Sequence, residues 1–279
     1  MKNLLTLLLL TSVTAGFAQG LYKAAFGIQT YSFRNSFPKG VEATLDTIKS
    51  FGITELEGNA PEGMTPQQFR KLADARGLRI PSTGCGYDEL VKDPQAVANT
   101  AKILGAKYVM TAWIPHERGK FTLENAKKAV ADFNAGGKVL KENGITFCYH
   151  THGFEFQPYE DGTLLDYIIK NTNPEYVSFE MDILWTHFGG GDPVALLKKY
   201  GKRFKLLHVK DLKKGTPKDL TGGTDQDNDV VLGTGEIDIA GVIREANKIG
   251  IKHFFIEDES KNVTKQVPQS IAYLKSLKK

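Results

Sequence analysis

Residues 149–156 read YHTHGFEF and set His150 and His152 two positions apart, with Glu155 just behind them. Along an extended strand, alternate side chains share a face, so both imidazoles would look into one space. Two imidazoles on one face suit a metal centre or an acid–base pair. Hydrogen-bonded surface histidines at a strand end are the plainer alternative. Three further polar residues each close an apolar run: Asp182 in VSFEMD, His208 in KLLH and Glu257 in FFIE. With His150 they offer two nitrogen and two oxygen ligands. Such a mixed set suits Mn²⁺, Zn²⁺, Co²⁺ or Fe²⁺ and is softer than Mg²⁺ or Ca²⁺ prefers.

Elements that would carry these residues are legible as an alternation. Apolar, β-rich runs stand at 26–32, 53–58, 78–84, 107–113, 145–152, 176–182, 204–211 and 252–259. Between them lie amphipathic stretches such as VEATLDTIKSFG, TPQQFRKLADARG and PVALLKKYGKR. Asp192-Pro193 and Asp238 read as helix starts, and Gly52, Gly77, Gly105, Gly144 and Gly250 as helix stops. Eight such units predict an α/β fold, a single (β/α)₈ TIM barrel, typically of about 250 residues. An open doubly wound sheet is the alternative, but no Gly-rich phosphate loop follows the first strand.

In a barrel, chemistry sits at the C-terminal ends of the strands. Those ends carry Gln29, Tyr31 and Arg34, then Glu55 and Glu57, Ser82 and Thr83, Trp113 and His116. They continue with His150, His152 and Glu155, with Glu180, Asp182 and Trp185, with His208, Lys210 and Asp211, and with Glu257 and Glu259. Imidazoles and carboxylates gather there, as a metal site requires. The segment 212–235 is long for a strand-to-helix connection and rich in Gly, Asp, Lys and Thr. A lid over the site and a surface insertion are both open readings.

Composition narrows the classes. Residues 1–18, MKNLLTLLLLTSVTAGFA, have a basic start, an apolar run and small residues before Gln19. This reads as a secretory signal peptide, leaving one domain over 19–279 and an exported, periplasmic or secreted protein without a membrane anchor. The formal charge of +4 is spread over scattered lysines, which argues against a nucleic-acid groove. Cys85 and Cys148 read as small buried residues, although an oxidising compartment would permit a disulfide.

The motifs GIQTYSFR, ELEG, YHTHGFEF, MDILWTHFGGGDP, LLHVKDL and GTGEID resemble, in order and spacing, the sugar phosphate isomerase/epimerase superfamily of xylose isomerase-like TIM barrels. The likeness runs over about residues 26–277, with the YHNH-type exported branch the nearer in strand 5. It implies one divalent cation held at His150, Asp182, His208 and Glu257, with Lys210 and Trp185 around the sugar. Two positions depart from the pattern. Many ketose 3-epimerases of this family carry a glutamate where His150 stands, and members often carry a histidine where Gly84 closes strand 3.

The expected chemistry is deprotonation of a carbon beside a sugar carbonyl, through an enediolate. Glu257 is the first candidate base, His152 the second, and Lys210 would stabilise the oxyanion. His152 is otherwise a second-layer or substrate-binding group, and the roles of His150 and His152 can also be exchanged. Trp185, Trp113, Glu57, Glu155 and Gln29 are candidate substrate contacts, with core packing the alternative for Trp113. Isomerisation or epimerisation of a free sugar and β-elimination from a 3-keto-glycoside are both open. A non-catalytic sugar-binding barrel and a DNA-repair endonuclease are lesser alternatives. Oligomeric state is not legible.

Overall fold

The computed structural model describes residues 20–279; the expected signal peptide at 1–18 lies outside them. Eight parallel strands close into a barrel. In chain order they are β1 (Gly27–Gln29), β2 (Glu55–Glu57), β3 (Arg79–Gly84), β4 (Tyr108–Thr111), β5 (Thr146–His150), β6 (Val177–Asp182), β7 (Phe204–Val209) and β8 (His253–Ile256). β1 pairs with β8 through Gly27↔Phe255 and Ile28↔Ile256, which closes the ring. A short hairpin, Pro158–Tyr159 with Gly162–Thr163, follows β5 outside the barrel.

Ten α-helices surround the strands among the described residues, where eight were expected. They are α1 (Val41–Ser50), α2 (Pro66–Asp74), α3 (Tyr87–Lys92), α4 (Pro94–Leu104), α5 (Leu123–Glu142), α6 (Leu164–Asn171), α7 (Ile183–Phe188), α8 (Pro193–Tyr200), α9 (Ile239–Ile249) and α10 (Val263–Ser276). Two connections are split for local reasons. Asp93-Pro94 stops α3 and restarts α4, because proline cannot donate to a continuing helix while Asp93 accepts from Ala96 N–H. Between α7 and α8 the break is longer: Gly189 ends α7, and Asp192-Pro193 starts α8, with Asp192 accepting from Ala195 N–H. Gly105 and Gly250, in the left-handed conformation, end α4 and α9, as their positions in the sequence suggest.

The strands carry two cores. Side chains facing outward, among them Ile28, Leu56, Val109, Phe147, Val177 and Leu207, pack under the helices. A smaller cluster of Met110, Cys148, Leu206 and Phe255 fills the barrel. Because strand side chains alternate, the inward series on each strand is a ladder of every second residue. On β8 it runs His253, Phe255, Glu257; on β7 it runs Leu206, His208, Lys210; on β6 it runs Ser178, Glu180, Asp182. The apolar rung is thus a floor, and the next rungs toward the C-terminal ends are polar.

The N-terminal end of the barrel has its own polar plug. Glu55 accepts from Arg79 at 2.8 Å and meets His253 Nδ1 at 2.8 Å. This places Glu55 at the opposite end from Glu57, correcting its expected position among the strand ends that carry the chemistry: the two share a face, but Glu55 begins the strand.

Candidate active site

Four buried donors meet at the C-terminal ends of β5 to β8: His150, Asp182, His208 and Glu257 each bring one ligand atom to within 4.8 Å of the others. His150 Nε2 and His208 Nδ1 are 3.0 Å apart. Asp182 Oδ2 lies 3.5 Å from the first and 3.7 Å from the second, and Glu257 Oε2 is 3.1 Å from His208 Nδ1. Each donor is held by what its other atoms do. Asp182 Oδ1 caps α7, accepting from Leu184 N–H at 2.8 Å and Trp185 N–H at 2.9 Å, so Oδ2 is left for the cluster. Oδ2 itself has no hydrogen-bond partner.

His208 is oriented from below. Its Nε2–H donates to Glu57 Oε1 at 2.5 Å, which aims Nδ1 at the other donors. Burial opposes its charge, but Glu180, Glu57 and Glu257 hold the imidazole well above its usual range until a cation takes the place of the proton. Glu180 Oε1 lies 3.4 Å from the same Nε2. Glu57 and Glu180 are both completely buried. Burial, reinforced by repulsion from Glu57, holds the Glu180 carboxyl well above the usual carboxylate range.

Among the described residues, Lys210 is the one ammonium in this region, and it is itself buried. Its Nζ lies 2.6 Å from Glu259, 3.1 Å from Glu257, 3.7 Å from Asp229 and 3.8 Å from Asp182. Burial alone would push it down, but Glu257, Glu259, Asp182 and Asp229 together raise it well above the ordinary lysine value. Burial likewise favours the neutral acid at Glu257, yet Lys210 and His208 outweigh it and hold the carboxyl well below its usual range.

The donors fit a divalent cation on three counts: two imidazole nitrogens point at one place, an orphaned carboxylate oxygen points there too, and the surrounding carboxylates outnumber the cationic groups. Buried anions in such excess need a proton or a cation to offset them.

His152 stands just past the end of β5, since pairing stops at His150. Its ring still faces the same side, 5.7 Å from the His150 ring. It is stacked on Trp185 at 4.6 Å and meets the edge of Trp113 at 5.2 Å. Burial, then the neighbouring His150, pushes its pKa down to about 3, so it is neutral in this setting. Trp185 is covered by His152 on one side and has the Lys210 ammonium 5.3 Å from its centre. Trp113 keeps 37% of its surface exposed at the rim and stacks on His116.

The remaining expected contacts are placed differently from one another. Gln29 lines the cavity above β1–β4 and accepts from Tyr31 N–H at 2.6 Å. Glu57 lies beneath His208, and Glu155 lies behind β5, where it accepts from His152 N–H at 3.0 Å and from the Tyr149 hydroxyl. Neither lines that cavity. Cys85 is half-buried rather than buried, Cys148 is buried, and both are free thiols.

Segment 212–235 is folded over the β5–β7 side. Leu212 bridges to Asp229, and a Cβ on Gly222 would lie 3.2 Å from His152 Nδ1. From this segment Asp229 reaches Lys210, a contact that sequence reading missed because nothing local predicts where a long Gly-rich loop returns. Glu180 had a signal: it stands two residues before Asp182 and must share its face.

A closed (β/α)₈ barrel with imidazoles and carboxylates converging at its C-terminal mouth defines the class. The chain belongs to the xylose isomerase-like TIM barrel family, whose model matches residues 45–277. It is similar to a sugar phosphate isomerase/epimerase from Parabacteroides distasonis, at 25% identity over 95% of this chain and 96% of that one, with a TM-score of 0.75. It is similar to an inosose dehydratase from Clostridium beijerinckii, at 26% identity over 199 residues, or 64% of each chain. The chain spans less than two thirds of the length of the first curated relatives it matches. The IOLI protein, whose structure holds a zinc atom, shares the fold at 14% identity and a TM-score of 0.70 over 90% of this chain and 96% of that one. No helix among the described residues is long and apolar enough to cross a membrane.

Proposed function

We propose that this chain is a divalent-metal-dependent enzyme that removes a proton from the carbon beside the carbonyl of a sugar or keto-sugar. The observation that carries this reading is the meeting of His150, Asp182, His208 and Glu257 within 4.8 Å. His150 Nε2, Asp182 Oδ2, His208 Nδ1 and a Glu257 oxygen would hold the cation, with Mn²⁺, Zn²⁺ and Co²⁺ the ions that suit these donors. When bound, the cation would act as a Lewis acid on the substrate carbonyl and favour the enediolate.

Glu257 is assigned as base. It is ionised, and Lys210 at 3.1 Å restrains its basicity. As the ammonium turns toward the developing oxyanion, Glu257 loses that restraint and its proton affinity rises as the proton arrives. The neutral His152, stacked on Trp185, is the second proton carrier. Trp113 and Gln29 flank the substrate at the mouth. Glu57 acts through His208 and Glu155 through the backbone of His152, so these two are positioning residues.

Return of the proton gives an isomer or epimer; loss of a β-substituent gives an unsaturated ketone. Elimination is the second reading, supported by the likeness to inosose dehydratases and by an imidazole, not a second carboxylate, at position 150. The leader-like residues 1–18 support export, where free sugars and oxidised glycosides are the available substrates.

The test is proton NMR in D₂O with protein loaded with Mn²⁺, Zn²⁺ or Co²⁺, using a 3-keto-glucoside and free ketoses. Deuterium entering the carbon beside the carbonyl is expected. Glu257→Gln, assayed at saturating metal because Glu257 is also a donor to the cation, should slow it by about 10²–10⁴-fold. Parental exchange in that variant removes Glu257 from the base role. No exchange with any metal or substrate overturns the reading and leaves a sugar-binding barrel.

A further inference from the structure

We propose that the substrate is a glycoside whose apolar, ring-bearing aglycone lies above β1–β4, and that Gly84 and Tyr31 set this preference; the proposal rests on the reading that the site acts on a sugar. The donor cluster occupies only the β5–β8 half of the barrel mouth. Over the other half opens a cavity of 690 Å³ whose lining includes Tyr31, Phe37, Pro61, Gly84 and Met110. That volume falls within the roughly 300–1,000 Å³ of pockets that enclose drug-sized ligands, which is more room than a lone hexose needs. A second cavity of 490 Å³, against α2 to α4, shares Asn59, Gly84 and Cys85 with the first. The two spaces meet at Gly84.

The backbone does not require glycine there. Gly84 is absent from the positive-φ residues, and a Cβ would find only ordinary contacts, with Met110 Cε at 3.5 Å and Asn59 Nδ2 at 3.9 Å. What the missing side chain provides is open space at the junction. Tyr31 supplies a platform beside it. It is 50% exposed, the most of any exposed large hydrophobic residue among those described, with a cation beside its ring. The Arg34 guanidinium lies 4.4 Å from its ring centre and donates to Tyr31 O at 3.1 Å and to Glu259 O at 2.8 Å. An exposed aromatic ring and a wall of Phe37, Pro61 and Met110 favour a planar apolar group. Of the polar side chains that also line the space, Gln29 is engaged with Tyr31 N–H, Arg34 with two backbone carbonyls, and Asn59 with Thr83 and the Gly84 carbonyl. This leaves chiefly Thr30 and Glu62 to meet the hydroxyls of a second sugar.

The experiment is isothermal titration calorimetry of the full chain with methyl β-glucoside, phenyl β-glucoside and cellobiose. These glycosides carry no ketone, so binding is read without turnover. The phenyl glucoside is expected to bind at least about tenfold more tightly than the methyl glucoside. Gly84→Leu, which fills the junction, and Tyr31→Ala, which removes the platform, should each cancel most of that preference and leave methyl glucoside affinity within about twofold. Equal affinities, no phenyl glucoside binding at millimolar concentration, or a preference that survives both variants would overturn the proposal. So would tighter binding of cellobiose than of phenyl glucoside, which would put a second sugar in this space. Deuterium exchange without a phenyl preference would defeat this proposal alone. A phenyl preference without exchange would support it and defeat only the chemistry.

Discussion

Glu155 shows how one buried group can set a pH dependence. Burial, partly offset by hydrogen bonds from Tyr149 and nearby backbone N–H groups, raises its carboxyl from 4.5 to about 7. Between those values the folded chain keeps a proton that the unfolded chain has released. Stability from this group is therefore present at low pH and is lost as pH rises through that window. The full swing is about 3 kcal/mol at order of magnitude. Glu155→Gln cannot titrate, so its melting temperature relative to the parent should be more favourable at pH 8 than at pH 5. A difference that does not change with pH would refute the assignment. Asp182 divides its work in another way: one oxygen caps α7 while the other faces the donors.

Among the elements, segment 212–235 has both its ends gathered by one carboxylate. Asp211 accepts from Leu212 and Ile237 through one oxygen and from Gly233 and Gly235 through the other, all between 2.9 and 3.1 Å. Both ends of the loop are thereby tied to the end of β7. Gly235 permits the approach, since a Cβ there would meet Asp211 Oδ1 at 2.3 Å. Asp211→Ala should destabilise the protein by about 2 kcal/mol, because several N–H groups lose their acceptor. The informative readout is limited proteolysis: cleavage within 212–235 should accelerate several-fold while the far-ultraviolet circular dichroism keeps its barrel signature. Unchanged cleavage would show that the loop is held by other contacts.

For the whole molecule, the concentration of carboxylates at one end of the barrel makes folding and cation binding interdependent. A cation that binds only the folded chain stabilises it by about 2.7 kcal/mol at a concentration one hundred times its dissociation constant. For a chain of this size that corresponds to a rise of roughly 5–10 °C in melting temperature. Zn²⁺, Mn²⁺ or Co²⁺ should produce such a rise, a chelator should reverse it, and His150→Ala should abolish it. If none of the three ions moves the melting temperature of the parent, the donor cluster does not bind them.

Much of this could be read from residue order. Alternating apolar runs and amphipathic stretches, punctuated by Gly and by Asp-Pro, determined an eight-fold barrel, because strand and helix periods are local properties of the chain. The same alternation marked His150, Asp182, His208 and Glu257, since each closes a run whose apolar members must be buried. It did not separate Glu55 from Glu57, because residues two apart on a strand share a face but not a depth. Only the closed barrel decided that Glu57 and Glu180 lie beneath His208, that Glu155 lies behind β5 and that Asp229 returns from a long loop to Lys210. The cavity above β1–β4 and the open junction at Gly84 also belong to the tertiary structure. Such contacts join residues far apart in the chain, and their geometry depends on how the ring closes and how each side chain fills it.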